Sequence, residues 1–212
     1  MARFIVLTAC LLMIAGCERA TLTAHRNDLR LFAEDLRVSI EKAAGTEGSI
    51  GTRVSYGCYS DRPFDKLPPA ELAEAMNAGA AFQRVMDRDS ALTPAERHAI
   101  LLKYVRRNVP MALYLAGALT LENAQSQDDE ALGAEAIRRS AMQGCPPAQS
   151  ILAFLYWRGI GLERDNGKAY GWAESASYAG LDAATELRAE IAPHATPTEL
   201  ADAKKISEPW RR

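Results

Sequence analysis

A 36-residue self-similarity decides most of what the C-terminal half of this chain can fold into. Ala112-Leu-Tyr-Leu-Ala-Gly117 is answered by Ala148-Gln-Ser-Ile-Leu-Ala153. Gly144 and Gly180 stand at the same 36-residue offset, as do Ala148 and Ala184. A fixed period of this length marks stacked supersecondary units, none of which buries its apolar face alone. Each unit reads as two short helices with a turn between them and a turn after. In the better unit Ile151, Leu152, Phe154 and Leu155 give the first helix a buried side. Gly159 and Gly161 then stop it, since glycine reaches backbone angles that other residues avoid. Asp165 caps the next helix. Ala169, Trp172, Ala173 and Ala176 give that helix a small-residue face suited to close packing, and Gly180 ends it.

The unit from Ala148 to Gly180 resembles the SEL-one-like repeat (SLR) family, a relative of the tetratricopeptide repeat. The resemblance rests on Ala148, Leu152, Tyr156, Gly159, Gly161, Asp165, Lys168, Ala169, Trp172, Ala176 and Gly180. The preceding unit, Ala112 to Gly144, keeps Ala112, Tyr114, Gly117, Ala141 and Gly144. It carries Asn123 and Gln125 where glycines are expected, and Leu132-Gly133 where Lys-Ala is expected. In the better unit Ala153 replaces a usual glycine and Glu163 a common proline. These departures bear on the turn of the first unit more than on its helices. Leu181 to Ala192 supplies one further helix of the first type, stopped by Pro193. The resemblance implies an all-α fold, a short solenoid of antiparallel helix pairs, and a surface that binds proteins or peptides.

Outside the repeats, Thr93-Pro94-Ala95-Glu96 and Thr196-Pro197-Thr198-Glu199 each combine a capping hydroxyl, a first-turn proline and a glutamate three residues on. They predict helices from about Pro94 to Arg107 and about Pro197 to Ile206. Pro69 to Met86 reads helical with Leu72, Met76, Ala80 and Val85 near one side. Leu29, Phe32, Leu36 and Ile40 stripe a helix from about Thr23 to Ala44, whose Arg30, Glu34, Asp35, Arg37 and Glu41 form a solvated face. Residues 45–67, rich in Gly and turn formers, read as an ordered loop in which 53–59 is a candidate short strand. The helices of 69–108 suit a divergent hairpin continuing the stack, although no residue matches fall at the repeat period there.

The N-terminus has the three-part layout of a secretory signal: Arg3, an apolar run from Phe4 to Ile14, then small residues. Ile14-Ala15-Gly16-Cys17 resembles the lipobox of bacterial lipoproteins, which implies cleavage after residue 16 and acylation of Cys17. The apolar run is shorter than the roughly 20 residues a membrane span needs. Glu18 follows where lipoproteins retained in the inner membrane carry Asp, which points to the outer membrane, facing the periplasm. Cys10 leaves with the signal and Cys17 carries lipid, so Cys58 and Cys145 are left in a compartment that permits their pairing. Pairing and two separate buried thiols both remain open. The organisation expected is a signal over 1–16, a helical region with its loop over 17–109, repeats over 110–192, and a capping helix and tail over 193–212.

Chemistry is sparse. The formal net charge is −2 and no basic block occurs, which argues against nucleic acid as a partner. His25, His98 and His194 are scattered and there is no CxxC pair, so neither a metal site nor a cofactor is expected. No nucleophile elbow or phosphate loop is present, and no catalytic residue is assigned. Glu174-Ser175 matches a pair used by helical transglycosylases but lacks their accompanying Gly- and Gln-containing motif. Its repeat position is one that faces solvent. Among the aromatics of the better unit, Tyr156 and Trp172 fall at buried repeat positions. Trp157 lies about 100° further round the helix and is either partly exposed or set against the next helix; with Arg158 it is the candidate partner contact. Arg138-Arg139 and Arg106-Arg107 are basic pairs near helix ends and suit the helix dipole. The reading that follows is a non-catalytic scaffold or adaptor, lipid-anchored in the bacterial envelope, whose partner is an envelope protein or peptide. A peptidoglycan-acting enzyme or activator, and an accessory lipoprotein of a secretion or toxin–immunity system, are the alternatives.

Overall fold

The computed structural model describes the backbone of residues 2–44, 58, 69–87 and 90–211, and the side chains of 18–42, 58, 77–87 and 90–211. The side chains of the expected signal segment and of Cys17, and the loop expected over 45–67 apart from Cys58, lie outside the described residues. Nine α-helices and no strand occur among the described residues. They are α1 (Ala2–Ala44), α2 (Pro69–Met86), α3 (Pro94–Arg106), α4 (Pro110–Glu122), α5 (Gln127–Ala141), α6 (Pro146–Arg158), α7 (Asn166–Ser177), α8 (Asp182–Ile191) and α9 (Pro197–Ser207). Short 3-10 turns follow α8 and α9.

Local chemistry explains the helix starts. α3, α5 and α9 each begin with a capping box in which Thr93, Ser126 or Thr196 exchanges hydrogen bonds with the residue three positions on. α7 begins on Asp165, whose carboxylate accepts from the Lys168 backbone N–H at 2.8 Å. Pro110 and Pro146 open α4 and α6, where a missing N–H costs nothing.

α4 pairs with α5 and α6 with α7, and each second helix also meets the next first helix. α8 follows as a first helix. α9 returns across α7, and a Cβ on Gly171 would lie 2.8 Å from the Ala203 carbonyl oxygen, so α9 caps the stack at close range. The first unit closes its internal turn without glycine: Asn123 has an ordinary φ of −104° and Gln125 leads into the Ser126 cap. In the second unit Gly159 and Gly161 have φ of 72° and 63°. A Cβ on Gly161 would fall 2.3 Å from the Glu130 carbonyl oxygen, so the second turn lies directly on the start of α5.

α2 and α3 form a hairpin ahead of α4. Phe82 meets Tyr104 edge-on at 5.1 Å, and the Arg97 guanidinium donates to the carbonyls of Val85, Asp87, Ser90 and Leu92. The described buried side of α2 is Ala78, Phe82 and Val85. Of the residues expected on one side, Val85 is buried as expected, whereas Ala80 is exposed.

Candidate functional site

In a stack of helix pairs the first helices form one face and the second helices another, and either can receive a partner. Here α1 lies along the first-helix face, in contact with α4, α6 and α8. Its stripe seals the contact: Leu22, Leu29 and Leu36 are buried, and Phe32 stacks on Phe154 of α6 with ring centroids 4.5 Å apart. Polar ties fix its register. His25 Nδ1 lies 3.0 Å from the carboxylate of Glu130, which is 4% exposed. The Ala183 N–H, one of the orphan donors at the start of α8, donates to Ser39 Oγ at 2.9 Å. Lys42 pairs with Asp182. The face on which a repeat array offers a groove is therefore filled by the chain's own helix.

The expectation that Trp157 is a surface contact is corrected. The indole is 5% exposed and its Nε1 donates to Glu190 at 3.3 Å. The Arg164 guanidinium covers the ring at 4.8 Å and the His194 ring approaches to 5.0 Å. Of the two positions open to it, Trp157 takes the one against the next helix. Its neighbour Arg158 is exposed and packs its guanidinium over Phe154 at 5.6 Å. The pair thus forms no shared surface.

Glu174 is also not solvent-facing. Ser207 Oγ donates to it at 2.5 Å and Arg188 lies at 3.8 Å, so it joins α7 to α9 and α8. This is the environment of a structural acceptor. No cluster of three or more His, Cys, Asp or Glu close enough to hold a metal occurs among the described residues.

Cys58 and Cys145 are joined in a disulfide, Cα atoms 4.3 Å apart and both side chains fully buried. The Cys58 carbonyl oxygen accepts from the Met111 N–H at 2.9 Å, satisfying the start of α4. One residue of the 45–67 segment is thereby fastened to two first helices at once.

The second-helix side is open. Between α5, α7 and α9 runs a groove of about 360 Å³ lined by Arg138, Met142, Tyr156, Lys168, Trp172, Ile206, Pro209 and Trp210. Tyr156 and Trp172, read from the repeat pattern as core, are half-buried; each packs on the core with one side and lines this groove with the other. Trp210 rests on Gly144, where a Cβ would meet the indole ring at 2.6 Å. Arg138 donates Nε and Nη2 to Glu135 at 2.7 and 2.8 Å, and this hydrogen bonding holds it above its ordinary value. Lys168 is likewise raised by its hydrogen bond to Asp165, 2.9 Å away. Burial pushes the Asp165 carboxyl up, but the Lys168 backbone N–H and ammonium outweigh it and leave the group below its usual range. Both cations stay charged. Sequence reading missed this groove because Trp210 reaches it from the tail, far outside the repeat; the one signal was the Trp210 aromatic in an otherwise polar terminus.

The architecture is that of an SLR-fold helical repeat array. It is similar to the crystal structure of c5321, a protective antigen present in uropathogenic Escherichia coli strains and displaying an SLR fold. The TM-score is 0.56 at 18% identity, over 84% of this chain and 45% of that one. This chain thus matches less than half the length of that antigen. No family model and no curated protein matches the sequence.

Proposed function

We propose that this chain is a non-catalytic protein-interaction scaffold held at a bacterial membrane surface by lipid on Cys17. One observation carries the scaffold reading: a stack of helix pairs whose first-helix face is closed by α1 while an aromatic groove lies open on the opposite side. Stacked arrays of this kind present extended surfaces to other proteins. The anchor reading is supported by Ile14-Ala15-Gly16-Cys17 and by the start of the buried stripe at Leu22. At about 1.5 Å per helical residue, lipid on Cys17 sits less than about 10 Å along the axis from the first packed side chain. The array would then ride close to the bilayer, with two or more acyl chains giving a stable hold. The partner is an envelope protein or peptide.

Expression of the full chain in a bacterium, followed by mass spectrometry of the mature N-terminus and membrane fractionation, tests this. The expected result is an N-terminal acylated Cys17, lost from the membrane fraction in Cys17→Ala or retained there with an uncut signal. A mature chain starting elsewhere without acyl mass overturns the anchor. Degradation of peptidoglycan by the purified protein, abolished by Glu174→Gln, overturns the scaffold.

A further inference from the structure

We infer that the groove between α5, α7 and α9 docks an acidic, apolar protein segment, one in which Leu or Phe side chains alternate with Asp or Glu. This rests on the scaffold reading and assigns its partner-binding surface and the chemistry of the partner.

Two sets of groups line the groove. The first is apolar and shaped to receive a side chain: the rings of Tyr156, Trp172 and Trp210, with Met142 at the edge, 56% exposed. Partly exposed Trp and Tyr rings are the residues that dominate binding energy when a partner covers them, and a methionine adapts its shape to what enters. The second set consists of donors. The indole N–H groups of Trp172 and Trp210 and the hydroxyl of Tyr156 have no hydrogen-bond partner among the described residues. Arg138 directs Nη1 at the sulfur of Met142, 3.1 Å away, a weak acceptor that a carboxylate would displace. Lys168 pairs with Asp165 at 2.9 Å, feels the charge of Glu163 as well, and stands 5.4 Å from the Tyr156 ring centroid.

No Asp or Glu is among the groove's lining residues. The carboxylates that pair with its cations, Glu135 and Asp165, neighbour the groove without lining it. The groove therefore offers π faces and two cations with no carboxylate among its lining residues, and the complement is a ligand with apolar side chains and carboxylates. A basic segment would bring further positive charge against Arg138 and Lys168, whose own carboxylate partners lie outside the groove. A dry apolar helix would cover Arg138 and Lys168 and take them out of water without offering either of them an acceptor. The seat is built rather than incidental: Trp210 lies where only a glycine at 144 leaves room for its ring.

The groove holds its own reporter. Trp172 and Trp210 line it, whereas Trp157, the third tryptophan of the chain, is covered by Arg164 and bonded to Glu190. The test is a tryptophan fluorescence titration of the full chain with a synthetic peptide Asp-Leu-Glu-Phe-Asp-Leu, acetylated and amidated so that every carboxylate is a side chain. Controls are the same peptide with Asn and Gln, and with Lys, at the acidic positions. The expected result is a saturable change with the acidic peptide, at least about tenfold weaker with the amide version and absent with the lysine version. Met142→Glu and Arg138→Gln should each weaken binding by about tenfold or more. Leu31→Ala, on the outer side of α1, should leave it unchanged. Calorimetry with Trp210→Ala should show the same loss without relying on fluorescence, and the circular dichroism of each variant checks that the helices persist. No saturable change, equal affinity for the three peptides, or binding indifferent to Met142→Glu and Arg138→Gln overturns the assignment. Acylation at Cys17 is read separately, so failure here with an acylated mature protein rejects the groove alone and leaves the anchored scaffold standing.

Discussion

Gly159 and Gly161 occupy one turn, with φ of 72° and 63°, yet they serve different ends. A Cβ on Gly159 meets nothing closer than 3.5 Å, so alanine there costs only the left-handed backbone penalty, about 1 kcal/mol. A Cβ on Gly161 falls against the Glu130 backbone at 2.3 Å, and neither chain can yield without moving a helix start. Gly161→Ala should therefore lower the unfolding free energy by about 3 kcal/mol or more, against about 1 kcal/mol for Gly159→Ala, in urea denaturation. Equal losses would mean that the close approach to α5 is not what Gly161 serves. In the sequence the two glycines read alike, as helix stops. Trp157 and Glu174 were illegible for the same reason. A residue's position round its own helix says which side it is on; it does not say that Glu190 and His194 will arrive from α8 and the turn after it, or Ser207 from α9.

The helix starts at Thr93 and Thr196, by contrast, were readable to within a residue, because a capping box is complete within four positions of the chain. Their chemistry gives a pH prediction. Hydrogen bonds from the Thr93 backbone and hydroxyl hold the Glu96 carboxyl below its ordinary value, and those from Gln125 and Ser126 do so for Asp129. A carboxyl depressed in the folded state contributes stability that is present above its unfolded value, about pH 4, and lost as pH falls through the folded value. Stability measured against pH should decline below about pH 4, and Asp129→Asn, which keeps an acceptor but not the charge, should fall less steeply there. The long helix α1 was legible in part. Its stripe Leu29, Phe32, Leu36 and Ile40 announces a buried face, but a stripe names no partner, and here the partner is the first-helix face of the array. Leu36 is 1% exposed, so Leu36→Ala should cost about 2–5 kcal/mol, whereas Leu31, 69% exposed, should tolerate alanine within about 0.5 kcal/mol. Similar losses at the two positions in thermal melts would place α1 elsewhere.

A repeat array is close to one-dimensional: each unit touches its neighbours, and such chains can unfold piecewise. Two features of this molecule work against that. α1 bridges α4, α6 and α8, which belong to three successive units, and the Cys58–Cys145 bond ties a residue ahead of α2 to the entry of α6 across 87 positions. Closing a loop of that length removes unfolded-state entropy equivalent to roughly 4–5 kcal/mol in the chain model, with measured gains more often about 2–4 kcal/mol. α2 and α3 pack only lightly on one another and so depend on ties outside their own pair, while α4 to α9 pack densely on their neighbours. All three tryptophans, 157, 172 and 210, report on that second group, and far-ultraviolet circular dichroism reports on every helix. In the oxidised protein the two signals should trace one thermal transition, as a cooperative unit requires. Reduction combined with Leu36→Ala loosens both ties. The circular dichroism should then begin to fall at a lower temperature than the tryptophan signal, as the N-terminal helices leave an array that still holds α4 to α9. Reduction alone or Leu36→Ala alone should lower the midpoint with the two signals still coincident, because one tie still couples the halves. Coincident transitions in the reduced Leu36→Ala protein would show that the stack is cooperative through its nearest-neighbour contacts, and that neither α1 nor the disulfide acts as a brace.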